Sequence, residues 1–178
     1  MEALKYFRAI LVLPFMVTVV IPWIITYKTG AMNVGWSLAP PFNAGPPLWA
    51  VVLICIGLVL MIKTITLFAT IGKGTLAPWD PTQELVVHGV YRFLRNPMIS
   101  GVLCVLLGEA VLFGSMPLFY WFVFFLTVNF IYTPLFEEPS LERRFGEDYI
   151  LYKKNVPRWI PRLNPWKNPH DDEAATSD

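Results

Sequence analysis

The chain is short of charge, and the charge it has is kept out of four long stretches. Lys, Arg, Asp and Glu make up 15% of the 178 residues, against 55% hydrophobic. Residues 9–27 hold no acid or base, 48–72 only Lys63, 96–114 only Glu109, and 115–136 none. Soluble domains of this length are rarely so depleted. A hydrocarbon core of about 30 Å needs roughly 20 apolar residues as helix. The bilayer offers backbone groups no water, so segments that span it must be helical. The expected fold class is therefore all-α: a multi-pass membrane protein with spans at about 6–27, 47–71, 97–114 and 116–136, forming one domain over 1–178.

Other scarcities exclude chemistry. His88 and His170 are the only histidines. They are too few and too far apart for a metal site or haem ligation, so no metal is expected. Cys55 and Cys104 sit inside apolar stretches and read as small buried hydrophobes rather than as a disulfide. Gly72-Lys73-Gly74-Thr75 lacks the spacing of a phosphate loop. No nucleophile–base arrangement and no nucleic-acid module is visible. Spans with almost no internal polar residues do not suit a transporter.

The charge that remains is placed with a strong bias. Lys5, Arg8, Lys73, Arg92, Arg95, Arg143, Arg144, Lys153, Lys154, Arg158, Arg162 and Lys167 would share one face of the membrane, twelve of fourteen basic residues. The positive-inside rule puts that face, with both termini and the 72–96 loop, in the cytoplasm. Span one starts basic but has no small-residue cleavage site before Lys28. It also contains Pro14 and Pro22, so it reads as a retained, kinked helix rather than a signal peptide. Gly114-Ser115-Met116-Pro117 predicts a tight outer turn between spans three and four. After span four, Leu141, Phe145, Tyr149 and Tyr152 form an aromatic-apolar stripe that predicts a cytoplasmic amphipathic helix over about Pro139–Asn155, bent at Gly146. Pro157, Pro161, Pro165 and Pro169 enforce an extended path. The acidic tail, about 168–178, is expected to be disordered.

Two polar segments stand where chain should pass between lipid and water. Gly89 to Gly101 runs into span three, with Asn96 as a good N-cap and Pro97 at the first helical position. Phe136 to Gly146 leaves span four and carries Glu137 and Glu138. Each has a plain reading: Arg92 and Arg95 as interfacial anchors, the glutamates as acids flanking the next helix N-terminus. Each also has a functional one, in which Arg95 holds a ligand carboxylate and the glutamates serve a cation or a set of hydroxyls. Gly101 and Gly108, seven apart on one face, either permit close helix packing or leave a groove for a flat ligand.

Taken in order, these residues resemble the integral-membrane methyltransferases that include isoprenylcysteine carboxyl methyltransferases and phospholipid N-methyltransferases. Arg95-Asn96-Pro97-Met98-Ile99-Ser100-Gly101 is similar to the segment that opens a late membrane helix in that superfamily. Glu137-Glu138-Pro139 is similar to its acidic pair. Phe145-Gly146-Glu147-Asp148-Tyr149-Ile150-Leu151-Tyr152 and Val156-Pro157-Arg158-Trp159-Ile160-Pro161 are similar to the C-terminal run of the isoprenylcysteine branch. Asn96 and Ile99 replace the histidine and tyrosine of the superfamily pattern. Asparagine can donate and accept hydrogen bonds but cannot act as a base.

The resemblance implies S-adenosylmethionine as methyl donor and a lipid or lipidated acceptor entering from the bilayer, either a prenylcysteine carboxylate or a phospholipid amine. It implies Tyr91, Arg95, Asn96, Pro97, Gly101, Gly108, Glu137, Glu138, Tyr149, Tyr152 and Ile160 around the donor, with Glu138 and Arg158 in catalytic roles. It implies residence in a bacterial inner membrane or the endoplasmic reticulum. The alternative is a non-enzymatic four-span lipid-binding or assembly protein on the same scaffold, which the departures at 96 and 99 would favour. Arg95 and Glu138 should meet at one cytosol-facing hollow.

Overall fold

The computed structural model describes residues 11–30, 32–37, 44–71 and 85–167, and every regular element among them is helical. The 72–75 loop, His170 and the acidic tail lie outside the described residues. A π-helical segment, Leu11–Val20, runs into α1, Ile21–Thr29. Pro14 sits inside the π-helical stretch, where its missing N–H and its ring disturb the ordinary hydrogen-bond ladder. The hydroxyl of Thr18 donates to the carbonyl of Pro14 at 2.7 Å. The helix ends at Gly30, whose φ of +60° is the left-handed stop that glycine adopts at least cost.

α2 spans Gly45–Thr70, α3 Pro97–Leu112 and α4 Met116–Tyr132. Between α3 and α4 the chain turns at Gly114, φ +54°, where a side chain would strike the backbone of Asn33. The indole of Trp36 donates to Val111 O at 2.9 Å, so the loop after α1 is docked on this turn.

α4 does not stop where the hydrophobic run stops. It passes through a π-helical segment, Thr133–Glu137, into α5, Glu138–Asn155, with no loop between. Pro134 and Pro139 each remove a backbone donor here, and a π-type segment absorbs such a local misfit. The expected separate helix from Pro139 is thus a continuation of α4. The bend expected at Gly146 is present, as a non-helical residue at φ 56°, ψ −132° inside α5.

α3 is the buried element. It packs chiefly against α2 and next against α4. The α2–α3 seam is made of small residues: a Cβ on Gly57 would lie 2.5 Å from Gly101 O, and one on Gly108 would lie 2.9 Å from Ala50 O. Ala50 and Gly57 are seven apart, as are Gly101 and Gly108, so the two antiparallel helices touch backbone to backbone twice. Lipid tails are as apolar as leucine, so helices in a bilayer associate through such close packing. Gly101 and Gly108 therefore face α2. Beyond the seam, Met61, Val102, Val105 and Leu106 form a core walled by Val17, Trp121, Phe122 and Phe125.

Two described helices are long and apolar enough to cross a membrane: α2, and the run Met116–Asn155. Their outer faces are bare. Trp49 (68% exposed), Ile62 (62%) and Phe130 (58%) stand among many exposed apolar side chains, as suits lipid and not water. The other two expected spans correspond to shorter apolar helices, Pro14–Thr29 and Pro97–Leu112. Cys55 and Cys104 are free thiols. Cys55 is exposed on α2 rather than buried as expected, because the small-residue face that packs on α3 is a different one.

At the opposite end from Gly114, a polar cap covers the helices. Linker 85–96, which includes a 3-10 turn at Gly89–Arg92, packs with α5 and an extended strap, 156–167. Val87, Tyr149, Tyr152, Val156 and Trp166 form its core, with Leu141 and Phe145 against them. The strap is stitched to the linker by backbone bonds: Arg95 N to Pro157 O at 3.0 Å, Arg162 N to Phe93 O at 3.0 Å and Trp166 N to Arg92 O at 2.9 Å. The Tyr152 hydroxyl adds a bond to Tyr91 O at 2.7 Å.

Candidate functional site

A cavity of about 570 Å³ opens where the cap meets the helices. That is a usual size for a small-molecule site. One end is apolar and lies among the helices, lined by Pro14, Val17, Met98, Val102 and Phe125. The other carries the polar side chains, Tyr91, Arg95, Asn96, Glu137, Ser140, Arg144, Tyr149 and Tyr152, beside apolar ones of the same segments, among them Leu85, Val86, Leu141 and Phe145. The linker supplies Tyr91, Arg95 and Asn96, and the run from α4 into α5 supplies the acid and the other two tyrosines. Buried unsatisfied polar groups mark this end: Arg95 Nε and Asn96 Nδ2 have no hydrogen-bond partner among the described residues.

Glu137 and Glu138 are adjacent but part company. Successive helical residues point roughly 100° apart, so neighbours do not share one direction. Glu137 lines the cavity, and its Oε2 accepts a 3.2 Å bond from the Thr133 hydroxyl. Burial pushes its carboxyl above the ordinary range, the Thr133 bond opposing and the Glu138 charge adding to the effect.

Glu138 does not line the cavity. It is 2% exposed and held by three cations. Arg158 grips it with two bonds, Nε to Oε1 at 2.6 Å and Nη2 to Oε2 at 2.9 Å. Arg95 Nη1 reaches Oε1 at 2.8 Å, and Lys153 Nζ lies 3.1 Å from Oε2. Burial alone would raise this carboxyl, but the hydrogen bonds from Arg158 and Lys153 and the charge of Arg95 outweigh it and hold it below the ordinary value. Lys153 also pairs with Glu142 at 2.7 Å, and the two acids hold its ammonium above the usual lysine value.

The tyrosines are kept neutral. Burial raises the phenol of Tyr149 to about 12, with Glu138 adding to the rise and Arg95 opposing it. Burial, with Tyr152 and Glu137 adding, raises Tyr91 as well. Tyr91 also stacks on Phe68 of α2, ring centroids 5.6 Å apart.

Of the residues singled out in the sequence, six come together on the cavity wall: Tyr91, Arg95, Asn96, Glu137, Tyr149 and Tyr152. Glu138 and Arg158 stand behind that wall, joined to it through Arg95. Pro97 is buried at the start of α3, Gly101 and Gly108 face α2, and Ile160 is 78% exposed on the strap. Arg95 and Glu138 do meet beside one hollow, as their positions at the two boundaries had suggested. Sequence reasoning missed the apolar end. Met98 and Val102, four apart in the helix that Asn96 opens, gave that signal, but Pro14, Val17 and Phe125 come from remote segments and gave none.

The apolar outer faces of the helices are those of a membrane protein, and the cavity lies between those helices and the cap. A family profile described as phospholipid methyltransferase matches residues 46–148, more than half the chain, and the chain belongs to that family. The family implies a methyltransferase acting at a membrane on lipid. The matched stretch contains the Arg95–Gly101 segment and the Glu137-Glu138 pair, and it ends before Tyr149 and the strap. No curated protein and no solved structure matches the chain.

Proposed function

We propose that this protein transfers a methyl group from S-adenosylmethionine to a lipophilic acceptor at the membrane–cytosol boundary. The observation that carries the reading is the two-ended cavity. Its polar end carries unsatisfied donors and a carboxylate without a direct cation partner in the described contacts, and its apolar end runs among membrane helices. The residues present fit the donor. Arg95 and Asn96 would hold its carboxylate, Glu137 its ammonium or ribose hydroxyls, and the rings of Tyr91, Tyr149 and Tyr152 its sulfonium. When bound, the donor supplies an electrophilic methyl for in-line displacement.

The chain's own work is alignment and the exclusion of water. Val17, Met98, Val102 and Phe125 would seat the acceptor's hydrocarbon. The cap of linker, α5 and strap would keep water from the reacting atoms. A carboxylate acceptor is already nucleophilic. An amine acceptor must first lose a proton, and the ionised carboxylate of Glu137, made more basic by burial, would take it.

For topology, the proposal is four crossings with the polar cap and both termini in the cytosol, as the basic residues demand. α3, 16 residues and roughly 24 Å long, is shorter than the hydrocarbon core. α2 and α4 flank it, so its ends need not meet lipid alone.

The test is transfer of tritiated methyl from labelled S-adenosylmethionine into total lipid extracts by the protein in bilayers, with the product identified. Labelled lipid is expected, and Glu137→Gln should reduce labelling at least tenfold. Silence across prenylcysteine, ethanolamine lipids and small acceptors would sink the reading and favour the non-enzymatic lipid-binding protein that Asn96 and Ile99 point to.

A further inference from the structure

The acidic pair is divided, and the division assigns a separate task to its second member. Every oxygen of Glu138 is committed: Oε1 to Arg95 and Arg158, Oε2 to Arg158 and Lys153. The side chain is buried and makes no part of the cavity wall. Its three partners come from three segments: the linker before α3, the C-terminal part of α5, and the strap. Arg95 alone of the three lines the cavity. One of its nitrogens is fixed by Glu138, while Nε is left without a partner among the described residues. A guanidinium so fixed is preorganised, because its planar fork loses little further freedom when a ligand carboxylate arrives.

We propose that Glu138 is a positioning residue: it clamps Arg95 in place beside the cavity and ties down the strap through Arg158, without touching the ligand. This rests on the reading of the polar end as the donor's seat. The strap is tied as well by the backbone bonds to Arg92, Phe93 and Arg95 and by Arg92 Nε, which donates to Trp166 O at 2.7 Å, all from the linker that also carries Tyr91 and Asn96, while Arg162 Nη1 donates to Asn155 O of α5 at 2.7 Å. Loosening the clamp therefore loosens the strap and three cavity residues together. A residue in direct contact with the donor would act through its own lost bond and leave the strap alone.

The experiment uses the full chain in lipid nanodiscs, with Glu138→Gln, Arg158→Gln, Arg95→Gln and the double variant Glu138→Gln/Arg95→Gln. Two quantities are read: S-adenosylmethionine affinity by titration calorimetry, and amide exchange at Arg162 and Trp166, whose N–H groups bond Phe93 O and Arg92 O. Glu138→Gln should weaken the donor at least tenfold and speed exchange at both amides. The double variant should bind more tightly than the product of the two single losses predicts, since Glu138 acts in part through Arg95. If the two losses multiply, or if exchange is unchanged while affinity falls, Glu138 is a ligand contact and the proposal fails. Arg158→Gln leaves Glu138 paired with Arg95 and Lys153, so it reports the strap even where Glu138→Gln does not fold: faster exchange supports the clamp, unchanged exchange overturns it. Absence of donor binding by the unmodified protein would remove the proposed reaction, and the exchange measurement would still decide the clamp.

Discussion

The α2–α3 seam and the polar cap hold the molecule together by opposite means. In the seam, Ala50 and Gly57 meet Gly108 and Gly101 with backbone against backbone. No charge takes part. In the cap, one buried carboxylate gathers two arginines and a lysine, and backbone bonds stitch an extended strap to a linker. Inside a bilayer there is no water to expel between helices, so contact area at short range does the work. At the boundary, water is near enough to compete, so fixed geometry must come from charge-assisted bonds that are shielded from it. Rigidity without polar groups suits a wall against lipid. Rigidity built from polar groups suits a site for a charged ligand.

The sharpest way to break this contrast is to remove the centre of the cap. Glu138→Ala leaves Arg95 and Arg158 without their acid, Arg95 being only 9% exposed. Breaking a buried pair by deleting one partner costs about 3–5 kcal/mol. We expect a loss of that size in thermal unfolding in detergent micelles, and a loss below about 1 kcal/mol would mean that the network is relaxed by water. The seam should be less costly to disturb. Gly57→Ala puts a methyl 2.5 Å from Gly101 O and 2.7 Å from Val105 Cγ2, so α2 and α3 must move apart. Overpacking of this kind costs about 1–3 kcal/mol. The same measurement checks it, and Gly45→Ala, which meets nothing within 4 Å, is the control.

The smallest effect separates the two glutamates by pH. Glu137 has a raised carboxyl, so the native state takes up its proton more readily than the unfolded chain. Its contribution to stability therefore grows as pH falls toward the ordinary carboxylate value of 4.5. Glu138 is lowered, so its contribution is present above that value and is lost as pH falls further, through its own folded value. Stability should rise on mild acidification and then drop. Glu137→Gln should flatten the rise and leave the acid drop. A monotonic fall from neutral pH in the unmodified protein would contradict the assignment.

Much of this was legible along the chain. Charge-free stretches announced the apolar helices, because a bilayer tolerates no unpaired polar group. Pro97 marked the start of α3 to the residue, and Gly146 marked the bend in α5. The boundary segments pointed to Arg95, Asn96 and the acidic pair because charged groups near lipid are costly to keep. Other features were hidden. The continuity of α4 with α5 was obscured by Pro134 and Pro139, which normally end a helix but here are absorbed by a π-helical segment. Gly101 and Gly108 had two readings until Ala50 and Gly57 were found opposite them.

The sequence by itself determined that this is a helical membrane protein with polar chemistry at one boundary. It did so because hydropathy and charge placement act locally, residue by residue, and need no partner to be read. Only the tertiary structure decided which glutamate faces the cavity and which is enclosed by cations. Two adjacent letters look alike, but helix geometry sends them in different directions, and what each meets there depends on segments dozens of residues away.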